Sequence, residues 1–487
     1  MRNHDGVESY EYEKKGGPKM NTSDSVKEYA MGNFPITPTA SATQNACKLC
    51  APLGASLVFK GIRGAVPLLH GSQGCSTYIR RYLISHYKEP VDIACSNFGE
   101  QTAVFGGAVN LKLALENICR QYDPALIGIA TTCLSETIGD DVPMFIKQYL
   151  AGQPEGTVPP IVHASTPSYQ GSHMEGFHRA VLATVRTLAT QAGGIKQNQV
   201  NLFPGMLSPA DLRHSKEMVV AFGLEPMVLP DYSQTLDGGL WESYHRIPDG
   251  GTPVATIAQA GTAAASIELG HTLALANETA ALLLAERFGM RAARLGFPMG
   301  IRHTDALLQT LSEISGRPVP AIYREQRGRL LDTLVDGHKH VNNIRAAVYG
   351  EEDLVAGLVG YLSEIGIHPV VCGSGGQSHH LAEVLEALVP ESWRKELTVL
   401  DGADFAAIEA AVEKAKPDLI IGHSKGYAMS RRLSIPLVRV GFPIHDRMGG
   451  PRLLHIGYEG AMALFDRIAN ALIEQRQDGS EVGYTYM

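Results

Sequence analysis

The chain has 487 residues, of which 44% are hydrophobic and 19% charged, and its formal net charge is −8. This composition is ordinary for a globular protein, and the length suggests about three domains of roughly 150 residues each. No segment is strongly basic, so nucleic-acid binding is not expected. The polar N-terminus lacks a signal peptide, and no run of about 18 apolar residues would span a membrane. These exclusions predict a cytoplasmic protein with neither a membrane nor a nucleic-acid partner.

Residues 1–45 are predicted to form an irregular arm, because they are polar and contain scattered glycine and proline. Met20 is an alternative start, so the sequence leaves open whether residues 1–19 belong to the functional chain. From residue 46 onward, short apolar runs are followed by glycine or a polar turn and then by a helical pattern. This alternation predicts an α/β protein with parallel sheets.

The same alternation predicts three consecutive Rossmann-like domains, although no clear sequence repeat relates them. The first covers residues 46–198 and carries the most distinctive motifs. The second covers residues 199–343, and the third covers residues 344–487.

Two apolar strands of the first domain, residues 127–130 and 160–164, end close to Cys133 and Ser168. In parallel α/β sheets, the loops after the carboxyl ends of the strands carry the chemistry. Cys133 and Ser168 are therefore candidate functional residues.

Helix signals continue through the other two domains. Ser208, Pro209 and Asp211 have the residue types of an N-cap, a first helical position and a capping-box acid. The chain ends with a predicted helix over residues 459–475. Both signals fit helices that alternate with strands.

The cysteines are odd in number, in a long chain without an export signal, so a disulfide framework is not expected. Three of them, Cys50, Cys75 and Cys133, fall on loops at the ends of elements instead of on regular core faces. Soft thiolates in such places suit an iron–sulfur cluster or zinc. The full set lies at positions 47, 50, 75, 95, 119, 133 and 372.

Other roles for these cysteines stay open on spacing alone. Cys47 and Cys50 form a CxxC pair, but no second CxxC and no HxxxH partner completes a structural zinc site. A thioredoxin-like redox pair would need a strand before it and a helix after it. Buried, inert thiols are the usual state of free cysteine and remain an alternative.

The residues around these three cysteines closely resemble the cysteine motifs of the β subunit in the nitrogenase component 1 family. The matching stretches are CAPLG at residues 50–54, HGSQGC at residues 70–75 and TTC at residues 131–133. The resemblance runs from about residue 46 to the end of the chain. It continues through Arg81, His86, Glu89, Pro90, residues 103–107, Glu136, residues 138–141, residues 166–168 and residues 171–173.

This resemblance implies that Cys50, Cys75 and Cys133 bind one half of an interfacial iron–sulfur cluster, either an [8Fe-7S] P-cluster type or a [4Fe-4S] cluster. A homologous subunit would supply the other half. The resemblance also implies a redox-dependent oxygen ligand at Ser168, because a deprotonated hydroxyl suits more oxidised iron. The cluster potential would then depend on thiolate number, hydrogen bonds to sulfur and burial.

Residues beside the cluster are implied as well. Gly71 and Gly74 would bring backbone N–H groups close to it, and Tyr78 would lie next to it. The remaining cysteines have no counterpart in the family motifs and are expected to be packed or partly exposed thiols. They are Cys47, Cys95, Cys119 and Cys372.

Two protein partners follow from the resemblance. A homologous α-type subunit, of the scaffold or the catalytic kind, would form an α2β2 heterotetramer with this chain. An ATP-dependent iron protein would dock on that complex. The α-type partner would hold an iron–molybdenum-type cofactor or its precursor, so no catalytic residue is assigned to this chain.

The family has scaffold and catalytic branches, and three stretches favour the scaffold branch. Residues 76–90, 201–206 and 441–450 resemble N-type subunits. With an E-type partner, such subunits form the scaffold for nitrogenase iron–molybdenum cofactor biosynthesis. Catalytic β subunits have a histidine-rich stretch where this chain has Met448 and two glycines.

The complete set of three cysteines favours an alternative, because some N-type subunits keep only the cysteine of the HGSQGC motif. That alternative is an electron-relaying β subunit. It would belong to a nitrogenase-like reductase that cleaves C–S bonds, of the methylthio-alkane reductase type, or to dinitrogenase itself. The sequence names neither the substrate nor the cluster nuclearity.

Weaker candidates lie in the third domain. The glycine-rich segment at residues 372–377 follows an apolar strand, and a tight βα turn is favoured over a phosphate cradle. His379 and His380 are expected to be solvated at a helix start. Three histidines near strand ends form no matching ligand pair, so no cofactor site is assigned to them. These are His423, His445 and His455.

Overall fold

A computed structural model describes residues 46–191 and 193–481. The predicted arm at residues 1–45 lies outside the described residues. Within the described ranges, strands and helices alternate along the chain, which confirms the predicted α/β class.

The strands form three separate sheets, and the paired strands in each sheet run parallel. The first sheet contains β1 (Ala65–His70), β2 (Ala94–Cys95), β3 (Leu126–Thr131) and β4 (Ile161–Ala164). The second contains β5 (Lys196–Phe203), β6 (Glu225–Val228), β7 (Ala263–Leu269) and β8 (Arg291–Leu295). The third contains β9 (Arg345–Gly350), β10 (His368–Ser374), β11 (Thr398–Leu400), β12 (Leu419–Gly422) and β13 (Leu437–Arg439).

Helices connect and cover these strands, because parallel neighbours need long crossover connections. In the first part of the chain they are α1 (Ala51–Lys60), α2 (Gln73–Tyr87), α3 (Glu100–Phe105), α4 (Ala108–Tyr122), α5 (Cys133–Ile138), α6 (Val142–Ala151) and α7 (His173–Leu188). Next come α8 (Pro209–Ala221), α9 (Val254–Ala258), α10 (Ala280–Phe288), α11 (Gly300–Ser315) and α12 (Ala321–Val341). The last are α13 (Glu352–Glu364), α14 (Leu381–Leu388), α15 (Phe405–Ala415), α16 (Tyr427–Leu433) and α17 (Gly457–Asp478).

The strand orders are β2-β1-β3-β4, β6-β5-β7-β8 and β11-β10-β9-β12-β13. The first and third sheets each lie within one of the residue ranges predicted for the Rossmann-like domains, whereas β5 of the second sheet begins at Lys196, three residues before the predicted boundary at residue 199. The domain boundaries themselves stay a prediction. None of the helices in the described residues is long and apolar enough to cross a membrane.

The predicted helix-capping signal is confirmed, and two cysteines lie in other elements than predicted. Ser208 caps α8 and forms a capping box with Asp211. Cys133 does not lie on the predicted loop, because β3 stops at Thr131 and Cys133 is already the first residue of α5. Cys372 lies inside β10, so the glycine-rich turn begins after it.

Two glycines allow α1 and α7 to pack closely where the helices cross. A Cβ atom on Gly54 would lie 1.7 Å from the carbonyl oxygen of His173, and one on Gly176 would lie 1.9 Å from that of Ala51. The two backbones therefore touch in a way that only glycine permits. This contact fixes the beginning of α1 beside the beginning of α7.

Candidate metal-cluster site

All four predicted metal ligands line one cavity of about 970 Å³. Cys50 is the N-cap residue of α1, Cys75 lies in the first turn of α2, and Cys133 begins α5. Ser168 begins a short 3-10 turn after β4. The carboxyl ends of β1, β3 and β4 are neighbours at one sheet edge, so the loops that follow them meet there.

Hydrogen bonds connect the ligand loops to one another. The Ser168 N–H donates to Cys133 Sγ at 3.2 Å, and the Ala51 N–H donates to Ser168 Oγ at 3.1 Å. Ser168 therefore links the loop of Cys133 to the beginning of α1. Ser72 Oγ lies 3.7 Å from Cys75 Sγ.

Hydrogen bonds behind the cavity connect the segments that carry these ligand loops. His70 Nε2 lies 3.0 Å from Asp140 Oδ2, and the Gly107 N–H donates to Asp140 Oδ1 at 3.0 Å. Burial lowers the pKa of His70, although Asp140 opposes this. Thr132 Oγ1 donates to the His70 carbonyl at 3.2 Å, so the loops before Cys75 and Cys133 are held in one network.

The thiols are accessible and electrostatically coupled. Cys50 and Cys133 are exposed in the isolated chain, and Cys75 is half-buried. Desolvation raises the pKa of Cys50, and so does the negative charge of Cys133 and Cys75, whereas a hydrogen bond with Ser168 lowers it. Because the thiolates repel one another, metal cations bound to their sulfur atoms would stabilise all three together.

The thiols surround a large space instead of converging on one point. Among the described residues, no three His, Cys, Asp or Glu side chains are placed to hold a single metal ion. Cys47 does not join Cys50 at the cavity, because it is buried in the core of the third sheet with Tyr349 and Phe405. Burial raises the pKa of Cys47 to about 12. The two cysteines of the CxxC pair therefore have different surroundings, because Cys47 lies in a core and Cys50 lines the cavity.

The two glycines predicted beside the cluster differ in their surroundings. Gly74 lines the cavity, and a Cβ there would meet only Ser72 Oγ, at 3.9 Å. Gly71 instead packs on Thr132, whose Oγ1 would lie 2.1 Å from an added Cβ. The Gly71 N–H already donates to Ser96 Oγ at 3.0 Å. Gly71 therefore supports the loop from behind, in place of the expected amide contact with a cluster.

Tyr78 and Tyr169 line the cavity with most of their surface exposed, at 64% and 55%. Tyr78 was predicted to lie beside the cluster, whereas no motif drew attention to Tyr169. Large apolar rings at the rim of a cavity are unusual on a monomer surface and are typical of a covered interface.

Two lysines that sequence reasoning missed also line the cavity. Lys48 Nζ donates to the Gly171 carbonyl at 3.4 Å, and Lys425 Nζ donates to the Ala46 carbonyl at 3.0 Å. Burial lowers the pKa of Lys425, whereas negative charge on Cys47 and Cys50 raises it. No Asp or Glu side chain is found among the described residues of the lining. The cavity therefore favours an anionic occupant.

The other cysteines and histidines lie elsewhere. Cys95 Sγ donates to the Gly71 carbonyl at 3.3 Å, behind the ligand loop. Cys372 is buried in β10, and Cys119 is half-buried on α4. His455 is buried against Asp211, with Nδ1 2.9 Å from Oδ2. None of these residues lines the cavity, and neither do His379, His380, His423 or His445.

Comparison with known proteins identifies the family. The profile of the nitrogenase component 1 type oxidoreductases matches residues 50–473. The chain belongs to the nitrogenase component 1 family. It is 35% identical to the nitrogenase molybdenum-iron protein beta chain of Clostridium pasteurianum over 433 residues, which cover 88% of this chain and 93% of that one.

Relatives of two kinds match this family member equally well. It is 35% identical to the nitrogenase iron-molybdenum cofactor biosynthesis protein NifN of Bradyrhizobium diazoefficiens over 445 residues, or 91% of this chain and 92% of that one. Its fold matches a solved structure entitled "Nitrogenase Cp1 at pH 6.5" with a TM-score of 0.88 and 33% identity, over 93% and 98% of the two chains. The family and the β-type character predicted from the motifs are confirmed.

Proposed function

We propose that this β-type subunit holds an iron–sulfur cluster through Cys50, Cys75 and Cys133, and that an α-type partner supplies the remaining ligands. The observation that carries the proposal is the shared cavity, in which the three thiols and Ser168 lie with two lysines and, in the part of the chain that the structure describes, no carboxylate. Iron–sulfur clusters are held by cysteine thiolates and are anionic, so both the ligands and the charge suit such a group. When bound, it would store and pass on electrons.

The surroundings of the thiols fit that occupant. The N-termini of α1 and α2 carry partial positive charge next to Cys50 and Cys75, which suits an anionic group bound there. The open space at Gly74 leaves room where any other side chain would project. Ser168 Oγ lies within hydrogen-bond distance of the Ala51 amide, so a change of side-chain rotamer would suffice to offer it as an oxygen ligand.

The incomplete enclosure supports a heterotetramer with a homologous α-type subunit. Two of the thiols and both rim tyrosines are exposed in the isolated chain. A partner surface would remove them from water, which strengthens charge interactions at the cluster. Expressed without its partner, the chain should therefore aggregate or turn over quickly.

Within the family we propose the N-type role, a scaffold for nitrogenase iron–molybdenum cofactor biosynthesis with an E-type partner. The segment at residues 441–450 supports it. Gly450 packs against His86, where an added Cβ would lie 2.9 Å from Cε1, and the Ile444 N–H donates to His86 Nδ1 at 2.9 Å. The histidine-rich stretch of catalytic β subunits would not fit this close contact unchanged.

The rival function is an electron-relaying β subunit, of a C–S bond reductase or of dinitrogenase. It is favoured by the presence of all three cysteines around one cavity, because a reductase needs a complete relay cluster. Equal identity to beta chains and to NifN does not discriminate between the two functions.

The test follows the product, because both functions involve docking of an ATP-dependent iron protein. The partnered complex receives iron protein, ATP and reductant, with dinitrogen, acetylene or a methyl thioether in separate vials. The scaffold role predicts no sustained turnover and activation of an apo-nitrogenase by the complex. Ammonia, ethylene or methanethiol formed at catalytic rates would reject it, and methanethiol alone would identify the C–S reductase.

A further inference from the structure

Lys425 reaches the cluster cavity from a different sheet than the thiols do. It lies in a short 3-10 turn, Ser424–Gly426, directly after the carboxyl end of β12 in the third sheet. The Ser424 N–H donates to the Pro443 carbonyl at 3.1 Å, which fixes the turn. The side chain extends into the cavity, where Nζ contacts the Ala46 carbonyl and lies 5.7 Å from the centre of the Tyr82 ring on α2.

The ammonium group of Lys425 has no carboxylate partner in the described residues. An ammonium has three N–H donors, and the Ala46 carbonyl accepts one of them. Lys216, a comparable half-buried lysine, pairs instead with Asp231 Oδ2 at 2.8 Å and with Ser233 Oγ at 3.0 Å. A half-buried charge without a counter-ion is costly, so an anion in the cavity would stabilise the Lys425 ammonium.

We propose that Lys425 is a positioning residue for electron transfer, whose positive charge compensates the negative charge that the cluster gains on reduction. This inference rests on the proposed function, because it needs the cluster in the cavity of Cys50, Cys75 and Cys133. One electron supplied by dithionite, which is itself oxidised, would add one negative charge to a cluster held in this cavity. The ammonium stabilises the more negative state, so it raises the reduction potential.

The placement of Lys425 also connects the third domain to the redox centre. Lys48 belongs to the same loop as Cys50, whereas Lys425 depends on the position of β12 and its turn. Cys47, in the same loop as Cys50, is buried in the core of the third sheet, so this sheet supports both Lys425 and the first ligand loop.

The test compares three variants of the full complex, purified anoxically with its partner. Lys425→Gln removes the charge, and Lys425→Arg keeps it. Lys416→Gln removes an exposed charge at the end of α15 in the same domain. Iron content is measured first, and the potential of the cluster is then titrated with dithionite and followed by electron paramagnetic resonance.

We expect wild-type iron content in Lys425→Gln, with about a tenfold lower ratio of reduced to oxidised cluster at a fixed potential, which is about 59 mV for a one-electron couple. Lys425→Arg and Lys416→Gln should stay close to wild type. Loss of iron in Lys425→Gln but not in Lys425→Arg would equally support charge compensation.

Three results would overturn the inference. They are an unchanged potential in iron-loaded Lys425→Gln, an equal shift in Lys416→Gln, and the same loss of iron or shift of potential in Lys425→Arg. Each of them leaves the cluster assignment intact. A wild-type complex without iron would instead overturn the proposed function and this inference together.

Discussion

Two cavities of this chain lie at the carboxyl ends of parallel strands, yet opposite chemistry lines them. The cluster cavity, at the first sheet, carries thiols and lysines. A second cavity of about 320 Å³ lies where the second and third sheets face each other, and its lining includes the buried carboxylates of Glu268, Glu352 and Asp353. Position in the fold alone would make both of them candidate sites.

The difference lies in how far the polar groups are already satisfied. Asp353 Oδ1 accepts hydrogen bonds from the Thr272 amide and from Thr272 Oγ1, and Glu352 Oε1 accepts from the Ser378 amide at 3.2 Å. Both acids lie in the first turn of α13. Asp353 joins this helix to the segment after β7, and Glu352 joins it to the segment after β10. Burial raises the pKa of both Glu352 and Asp353. Glu352 and Asp353 are therefore structural, whereas the thiols of the first cavity keep unused bonding capacity.

Removal of one thiol is the strongest test of this difference between the two cavities. Cys75→Ala should cost the partnered complex most of its iron, because the cluster loses a ligand that no neighbouring side chain replaces. Cys119→Ala, on α4 away from the cavity, is the matched control and should keep its iron. The measurement is iron per complex after anoxic purification. Normal iron in Cys75→Ala would refute the ligand assignment.

Substitutions at two glycines distinguish a residue that leaves space for the cluster from a residue that the fold needs for packing. Gly74→Leu should lower iron content several-fold with little change in Tm, because its side chain would enter the cavity. Gly71→Ala should lower the free energy of unfolding by about 2 kcal/mol, because its methyl group would collide with Thr132. Iron assay and thermal melting of both variants check this. Equal effects in the two assays would contradict the distinction.

The smallest expected effect concerns Glu352 in the second cavity. Burial raises its pKa from 4.5 to about 8, so the folded state binds a proton that the unfolded chain has released. The associated stability is present below about pH 4.5 and is lost as the pH rises through about 8. Glu352→Gln mimics the protonated acid, so it should match the wild type at pH 5 and melt about 3 °C higher at pH 9.

Melting curves of the wild-type and Glu352→Gln complexes at pH 5 and pH 9 provide the measurement. Glu242→Gln, which changes an exposed glutamate, controls for the loss of one charge. A Glu352→Gln variant that is less stable at pH 9 than at pH 5, relative to the wild type, would show that this carboxylate is ionised in the fold.

Sequence reasoning predicts the parts of the site that depend on local pattern. Cys133 and Ser168 follow apolar strands, so the rule for parallel sheets indicates both of them from the sequence alone. The capping signals of Ser208 and Asp211 likewise mark the beginning of α8. These predictions succeed because strand burial and helix capping depend on residues near in sequence.

The missing parts depend on contacts between distant segments. Lys425 follows a strand just as Cys133 does, and the same rule would have included its loop. What the rule does not contain is that a turn of the third sheet reaches a cavity of the first, 375 residues from Cys50 along the chain. The supporting role of Gly71 was missed for a similar reason, because its neighbour Thr132 belongs to another strand's loop.

The glycine contact between α1 and α7 has a mechanical consequence for the ligands. Cys50 is the N-cap residue of α1, and Ser168 lies five residues before α7 begins. Because the backbones of the two helices touch, Cys50 and Ser168 move together as parts of one rigid unit. Bending between domains would leave their separation unchanged. Recruiting Ser168 would then require a side-chain rotation inside a turn, and no helix would have to travel. The same coupling is a weakness, because a single methyl group on Gly54 or Gly176 would push a thiol and a hydroxyl out of register together.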